Sequence, residues 1–224
     1  MAIKEIVIVG DSAFAEIAYE YFTYDSPFEV VAFAVEGAYL TKQFLFELPV
    51  YPLEDLGNYI DLKSTGFHCA VVYTQLNRLR ARLINFAKNI GLTPVSYVSS
   101  KSFVWRNAKI GEHVFIFEDN TIQPFVEVGN NVVMWSGNHI GHHSKIEDNV
   151  FIASHVVLSG FTSVGESSFI GVNATISNNV KIAKNNWIGL GATITHDTQP
   201  NQLYKGGRSE PAAVSSISFF RVDS

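Results

Sequence analysis

From Val104 onward the chain places an apolar side chain at every sixth position: Val104, Ile110, Ile116, Ile122, Val128, Met134, Ile140, Ile146, Ile152, Leu158, Val164, Ile170, Ile176, Ile182, Ile188 and Ile194. With about half the residues apolar, so long an unbroken run arises by chance with a probability of roughly 10⁻⁵. Four places after each of these the side chain is mostly small or β-branched, as at Ala108, Val114, Val126, Ser144 and Ala174. The positions between carry Gly, Asn, Asp, Glu and Lys, which turn the chain and face water. A period of six matches neither a helix nor an unbroken strand. It predicts a β-solenoid of short strands and corners, in which stacked coils bury one continuous aliphatic column.

The first hundred residues follow another rhythm. Ile6 to Val9 reads as a short buried strand ending at Gly10, and Phe14, Ile17, Ala18 and Phe22 recur at helical spacing through 13–24, with Asp11 or Ser12 as cap. A second strand is predicted over Phe28 to Val35, with Glu36 at its carboxyl end, then a brief strand at Val50-Tyr51 and a short helix from Leu53. Cys69 to Tyr73 reads as a strand, Leu76 to Asn89 as a helix closed by Gly91, and Pro94 to Val98 as a strand entering the repeat. Alternating strands and helices predict an open α/β sheet with its ligand crevice beyond the carboxyl ends of the strands. Gly10, Asp11, Ser12 and Glu36 then surround one crevice, and a nucleotide suits it: backbone N–H groups at a helix start bind phosphate, and an acidic side chain binds ribose or base. Ser12 and Ala15 stand where the dinucleotide fingerprint has its second and third glycines, which disfavours nicotinamide chemistry.

Composition narrows the picture. With 224 residues, 47% of them hydrophobic, there is core enough for two modest domains or one large one. A net charge of -5, with 16 basic residues thinly spread, disfavours nucleic acid as a partner. Cys69 is the only cysteine, so no internal disulfide forms and a reducing compartment is compatible. The amino terminus enters a strand pattern with no leader-like segment, and no apolar run approaches the ~20 residues that span a bilayer, so a cytoplasmic protein with no membrane partner is expected.

Candidate chemistry gathers at His139, His142, His143 and His155. His142 and His143 fall at a solenoid corner facing away from the column, and imidazole, titrating near neutrality, accepts a proton from an attacking amine or hydroxyl. The hexad run resembles the hexapeptide-repeat, left-handed β-helix acyltransferases. That resemblance implies triangular coils of three hexads, so that residues eighteen apart stack, and three chains side by side as a homotrimer. The whole chain resembles the bacterial N-acetyltransferases that acetylate nucleotide-linked amino sugars, as in the bacillosamine and perosamine pathways. The implied fold is a small Rossmann-like parallel α/β domain over 1–101, a left-handed parallel β-helix over 102–200 and a tail over 201–224.

The resemblance further implies acetyl transfer from acetyl-CoA to the amine of a nucleotide-linked deoxyamino sugar for surface-glycan synthesis. His142 takes the place of the family's base, and Gly160 that of its oxyanion-binding corner glycine. Gly10, Asp11, Ser12 and Glu36 take the nucleotide-sugar positions, and Ala192 joins Gly160 as a candidate cofactor residue; apart from the resemblance, the basic segment Lys205-Gly206-Gly207-Arg208 at the end of the solenoid is a candidate for carrier phosphates, with a solvated loop as the alternative reading. Three departures stand out. His143 replaces the acidic residue that follows the family's histidine, leaving Glu118, Asp119 or Glu127, of this or a neighbouring chain, as substitutes. The glycine-rich turn is reduced to Gly10-Asp11-Ser12-Ala13-Phe14-Ala15, and the family's His-Pro segment reads Val98-Ser99-Ser100-Lys101. Rival readings are a sugar O-acetyltransferase, a gamma-type zinc carbonic anhydrase and a non-catalytic trimeric scaffold. Glu147 stands where the zinc enzyme needs its second histidine, so no metal is expected.

Overall fold

The computed structural model describes residues 3–207 and 209–222. Its amino-terminal part is an α/β sheet built from β1 (Glu5–Val9), α1 (Ala13–Asp25), β2 (Glu29–Val35), β3 (Phe44–Leu45), β4 (Leu48–Pro52), β5 (Gly66–Cys69), α2 (Arg78–Asn89) and β6 (Thr93–Pro94). The strand order is β3-β4-β2-β1-β5-β6, parallel throughout except for β3, which pairs antiparallel with β4. β1 is central, with Ile6, Val7, Ile8 and Val9 all buried, so a continuous apolar run marks a strand covered on both faces. β5 lies earlier than its apolar pattern predicted. Its ladder partners are Gly66 to Cys69, with His68 fully buried, while Ala70 to Tyr73 continue as the loop beyond it.

From Tyr97 to Tyr204 the chain winds as a triangular solenoid whose two-residue strands pair in parallel, Phe115 on Val133 and Val133 on Phe151, eighteen residues apart. Three sheets form the prism faces. One runs from Tyr97–Val98 through Phe115–Ile116 and Phe169–Ile170 to Leu203–Tyr204, a second from Phe103–Val104 through His139–Ile140 to Thr193–Ile194, and a third from Lys109–Ile110 through Lys145–Ile146 to Lys181–Ile182. The inward residues merge into one aliphatic core containing Ile116, Ile140, Ile146, Leu158 and Ile176. Burying each such side chain contributes on the order of 2 kcal/mol.

At the corners a left-handed residue recurs every sixth position, among them Asn131, His143, Asn149, Phe161, Asn173 and Asn179, with φ between +53° and +63°. The abundance of Asn there has a cause: its short polar side chain tolerates this conformation better than bulky residues do.

The α/β sheet and the first solenoid face share a core. Outward residues Phe115, Val133, Phe151 and Phe169 pack with Phe14, Phe22 and Ile6, and Phe115 meets Phe14 edge-on at 5.4 Å between ring centres. Arg80 of α2 crosses this junction fully buried. It donates to Asn131 Oδ1 at 2.6 Å and Asn131 O at 3.1 Å, and also to the carbonyls of Val71 and Val72. Beside it the rings of His68 and His113 stack at 4.3 Å, and the Cys69 N–H donates to His113 Nε2 at 2.8 Å.

Candidate active site

His142 and His143 occupy the corner between the second and third faces, opposite the face that the α/β sheet covers. Both are exposed. The His142 N–H donates to Gln123 Oε1 at 2.9 Å, which anchors the backbone to the coil below. The His142 ring lies over Gly160 in the coil above, where a side chain would be blocked: a Cβ there would come within 2.8 Å of His142 Cε1 and 2.9 Å of Nε2. Among the described residues no acceptor takes the Gly160 N–H. An imidazole thus lies over a glycine whose N–H has no acceptor among the described residues, and a base together with a free backbone donor is what acyl transfer to an amine or hydroxyl requires.

Within the chain, the carboxylates expected to support His142 lie away from it. Glu118 accepts from Tyr21 Oη at 2.7 Å and Ser136 Oγ at 2.6 Å, at the corner between the first and second faces; Asp119 is its neighbour on that corner. Burial acts to raise the Glu118 carboxyl, but these hydrogen bonds leave it below its ordinary value. Glu127 lies on the third face, where Lys109 donates to it at 2.6 Å. The partner within the chain is His143, whose Nδ1 is 3.1 Å from His142 Nδ1.

A second cleft opens at the carboxyl ends of β1 and β2. Gly10, Asp11, Ser12 and Glu36 line it together with Tyr39 and Arg82, around a cavity of about 550 Å³. Gly10 adopts φ +128°, and a Cβ there would lie 2.9 Å from the Ala70 carbonyl oxygen, so the turn needs glycine on both counts. Ser12 is the N-cap of α1, makes no side-chain cap bond and lines the cleft. Glu36 is held by Arg82 in a two-bond fork at 2.7 and 2.8 Å; that hydrogen bonding keeps its carboxyl below the ordinary value. The sequence pattern did not reveal Arg82, because a basic residue on an amphipathic helix reads as solvated.

The expected cofactor residues divide. Lys205 lines a hollow of about 720 Å³ with Tyr73, Val172, Trp187, Leu190 and Gly206, around the prism from Gly160. Ala192 is buried at the aliphatic column, and its N–H donates to Gly189 O at 3.2 Å. Arg208 lies outside the described residues. Cys69 is buried and its thiol is pushed up to about 12 by that burial, which disqualifies it as a nucleophile. Among the described residues no three His, Cys, Asp or Glu side chains cluster as metal ligands, and no helix is long and apolar enough to cross a membrane.

No protein-family model and no curated protein matches the chain. Solved structures do. The acetyltransferase domain of PglB from Neisseria gonorrhoeae FA1090, in complex with acetyl coenzyme A, superposes with a TM-score of 0.81 at 19% identity, covering 94% of this chain and 100% of that one. PerB from Caulobacter crescentus, in complex with CoA and GDP-perosamine, gives 0.77 at 22%, covering 90% and 94%. WeeI from Acinetobacter baumannii AYE gives 0.58 at 16%, covering 85% and 95%. The likeness establishes the shared fold, an α/β domain followed by a left-handed parallel β-helix.

Proposed function

We propose that this protein is a member of the nucleotide-linked amino-sugar N-acetyltransferases and moves an acetyl group from acetyl-CoA to the free amine of a nucleotide-linked deoxyamino sugar in surface-glycan synthesis. The observation that carries this reading is the His142 ring lying over Gly160, a base beside an oxyanion donor on an exposed solenoid corner. Support comes from the fold shared with PglB and PerB, whose structures hold acetyl coenzyme A, or CoA and GDP-perosamine.

The amine attacks the thioester carbonyl while His142 Nε2 accepts its proton. The tetrahedral oxyanion is held by the Gly160 N–H, the C–S bond breaks, and the proton passes from His142 to the departing thiolate. Phosphates of the sugar nucleotide bind at the α1 amino terminus beside Ser12, and Tyr39 offers a face to the base. The hollow holding Lys205 receives part of the cofactor.

In one chain the nucleotide cleft and His142 lie on opposite sides of the prism, so a substrate held in the cleft meets the histidine of a neighbouring chain. A homotrimer supplies that neighbour. The exposed Phe103, Trp105, Phe125, Val157 and Phe161, on and beside the second face, suit burial between chains. An amine needs a weaker base than a hydroxyl does, which favours nitrogen over oxygen as acceptor at a histidine without a carboxylate.

The test is thiol release from acetyl-CoA with a panel of nucleotide-linked amino sugars and their hydroxyl counterparts. His142→Ala is expected to lower kcat by ~10²-fold to 10⁴-fold with the fold intact. A variant at full rate would remove the base assignment, and turnover with the hydroxyl acceptors alone would replace N- by O-acetylation.

A further inference from the structure

The corner that carries His142 is built unlike the others. The left-handed position, filled by Asn at 131, 149, 173, 179 and 185, holds Phe125, His143 and Phe161 in three successive coils, with φ of 64°, 60° and 59°. Large side chains pay roughly 1–2 kcal/mol for this conformation. What they form is a stack: His143 is sandwiched between Phe125, 4.6 Å away at 26°, and Phe161, 4.8 Å away at 15°. His142 meets this stack edge-on, at 89° to both His143 and Phe161. The sandwich fixes the plane of His143 and points its Nδ1 at His142 Nδ1, 3.1 Å away.

Resting on the acyl-transfer reading, we infer that His143 is the positioning residue of His142, an imidazole doing at this corner what a carboxylate would otherwise do. Two nitrogens at hydrogen-bond distance require one donor and one acceptor. With His143 Nδ1 as acceptor, His142 carries its proton on Nδ1, and its Nε2 lone pair faces the substrate. When Nε2 takes the amine proton, the imidazolium charge is shared through the Nδ1–H bond to His143, whose Nε2–H is already in place. The same proton then leaves Nε2 for the thiolate, so the pair ends the cycle as it began. The corners above and below, 123–126 and 159–162, carry no ionisable side chain. Along the chain the nearest charged groups are Lys145 and Glu147; in the coil below, Glu127 is paired to Lys109, and Arg106 lies two coils away. Among the described residues no carboxylate hydrogen-bonds the His142 ring, so the contact with His143 is what sets it.

Two substitutions separate this role from a structural one. His143→Phe continues the ring stack, and Phe is tolerated at this backbone position in the coils on either side, but it removes the acceptor. The expected result is an unchanged melting temperature and KM, with kcat lowered by about 10²-fold, as when a histidine base loses the partner that sets its tautomer. His143→Glu restores an acceptor and adds charge: rate returns, and the acidic limb of the pH–rate profile moves upward by about one unit. ¹⁵N spectra of the ring nitrogens give a readout without any substrate: wild type shows His142 protonated at Nδ1 at neutral pH, and His143→Phe shows a tautomer mixture. Full kcat in His143→Phe, or a wild-type His142 protonated at Nε2, overturns the inference. Should no acceptor be acetylated while the spectra show the Nδ1–H tautomer, the proposed reaction fails and the dyad stands.

Discussion

Gly160→Ala isolates the geometry on which the proposed acyl transfer rests. The new Cβ would lie 2.8 Å from His142 Cε1, 2.9 Å from Nε2 and 3.3 Å from Nδ1. Carbon atoms pack comfortably at ~3.5 Å or more, so the ring has to retreat by about 0.7 Å. It can do so, because the atoms struck are the end of an exposed side chain and Gly160 is not in a left-handed conformation. Stability should then change by less than ~1 kcal/mol, while a displacement of this size at a reacting nitrogen lowers kcat by roughly 10²-fold. Gly141→Ala is the control: its Cβ would strike backbone, the Gly160 nitrogen and Ser159 carbonyl carbon, both at 2.6 Å, and should damage the coil itself. Thiol release alongside thermal melting reads both quantities. If Gly160→Ala keeps full turnover, or if it melts as early as Gly141→Ala, the placement of the base over this glycine is wrong.

Arg80→Met should destabilise the protein by roughly 3–5 kcal/mol in urea titrations, since it strips donors from the buried acceptors of Asn131 and the part-buried carbonyls of Val71 and Val72; an unchanged midpoint would contradict the bolt-like role of this guanidinium. Stability should fall on acidification through the buried histidine pair. Burial lowers His68 to about 4 and His113 well below its ordinary value, with neighbouring Arg80 adding to both effects and the Val95 carbonyl opposing it at His68. A histidine depressed in the folded state adds stability that is present above its unfolded pKa, near 6.5, and is lost as pH drops toward the folded value. His68 alone then accounts for roughly 3 kcal/mol between pH 6.5 and 4, and equal denaturation midpoints at pH 7 and 4.5 would refute the assignment.

Several elements were readable from the chain. A six-residue spacing admits one solution that buries every aliphatic, so the column from Val104 to Ile194 is local information repeated. Another signal was present but hidden under it. Tyr97, Phe115, Val133, Phe151, Phe169 and Trp187 recur every eighteen residues, one place before the column, and form the covered face. Six-residue arithmetic passes over them because the same phase on the other faces holds Lys, Thr and His. β5 was displaced for a related reason: His68 reads as polar and Ala70 to Tyr73 as apolar, yet it is His68 that lies in the sheet, beneath the solenoid.

The amino-acid order by itself determined which residues line the solenoid interior, where its corners turn and which strand–helix turns shape the cleft beyond β1 and β2, because each depends on a periodicity or a backbone preference within a few residues. Only the tertiary structure decided the rest. Arg80 is a buried bolt and not a solvated helix residue because a second domain lies over it; Glu36 is tied to Arg82, 46 positions away; and Glu118 faces Tyr21 instead of His142. Charge placement and side-chain partnership depend on which surfaces meet, and stacking brings together groups that the chain separates by whole coils.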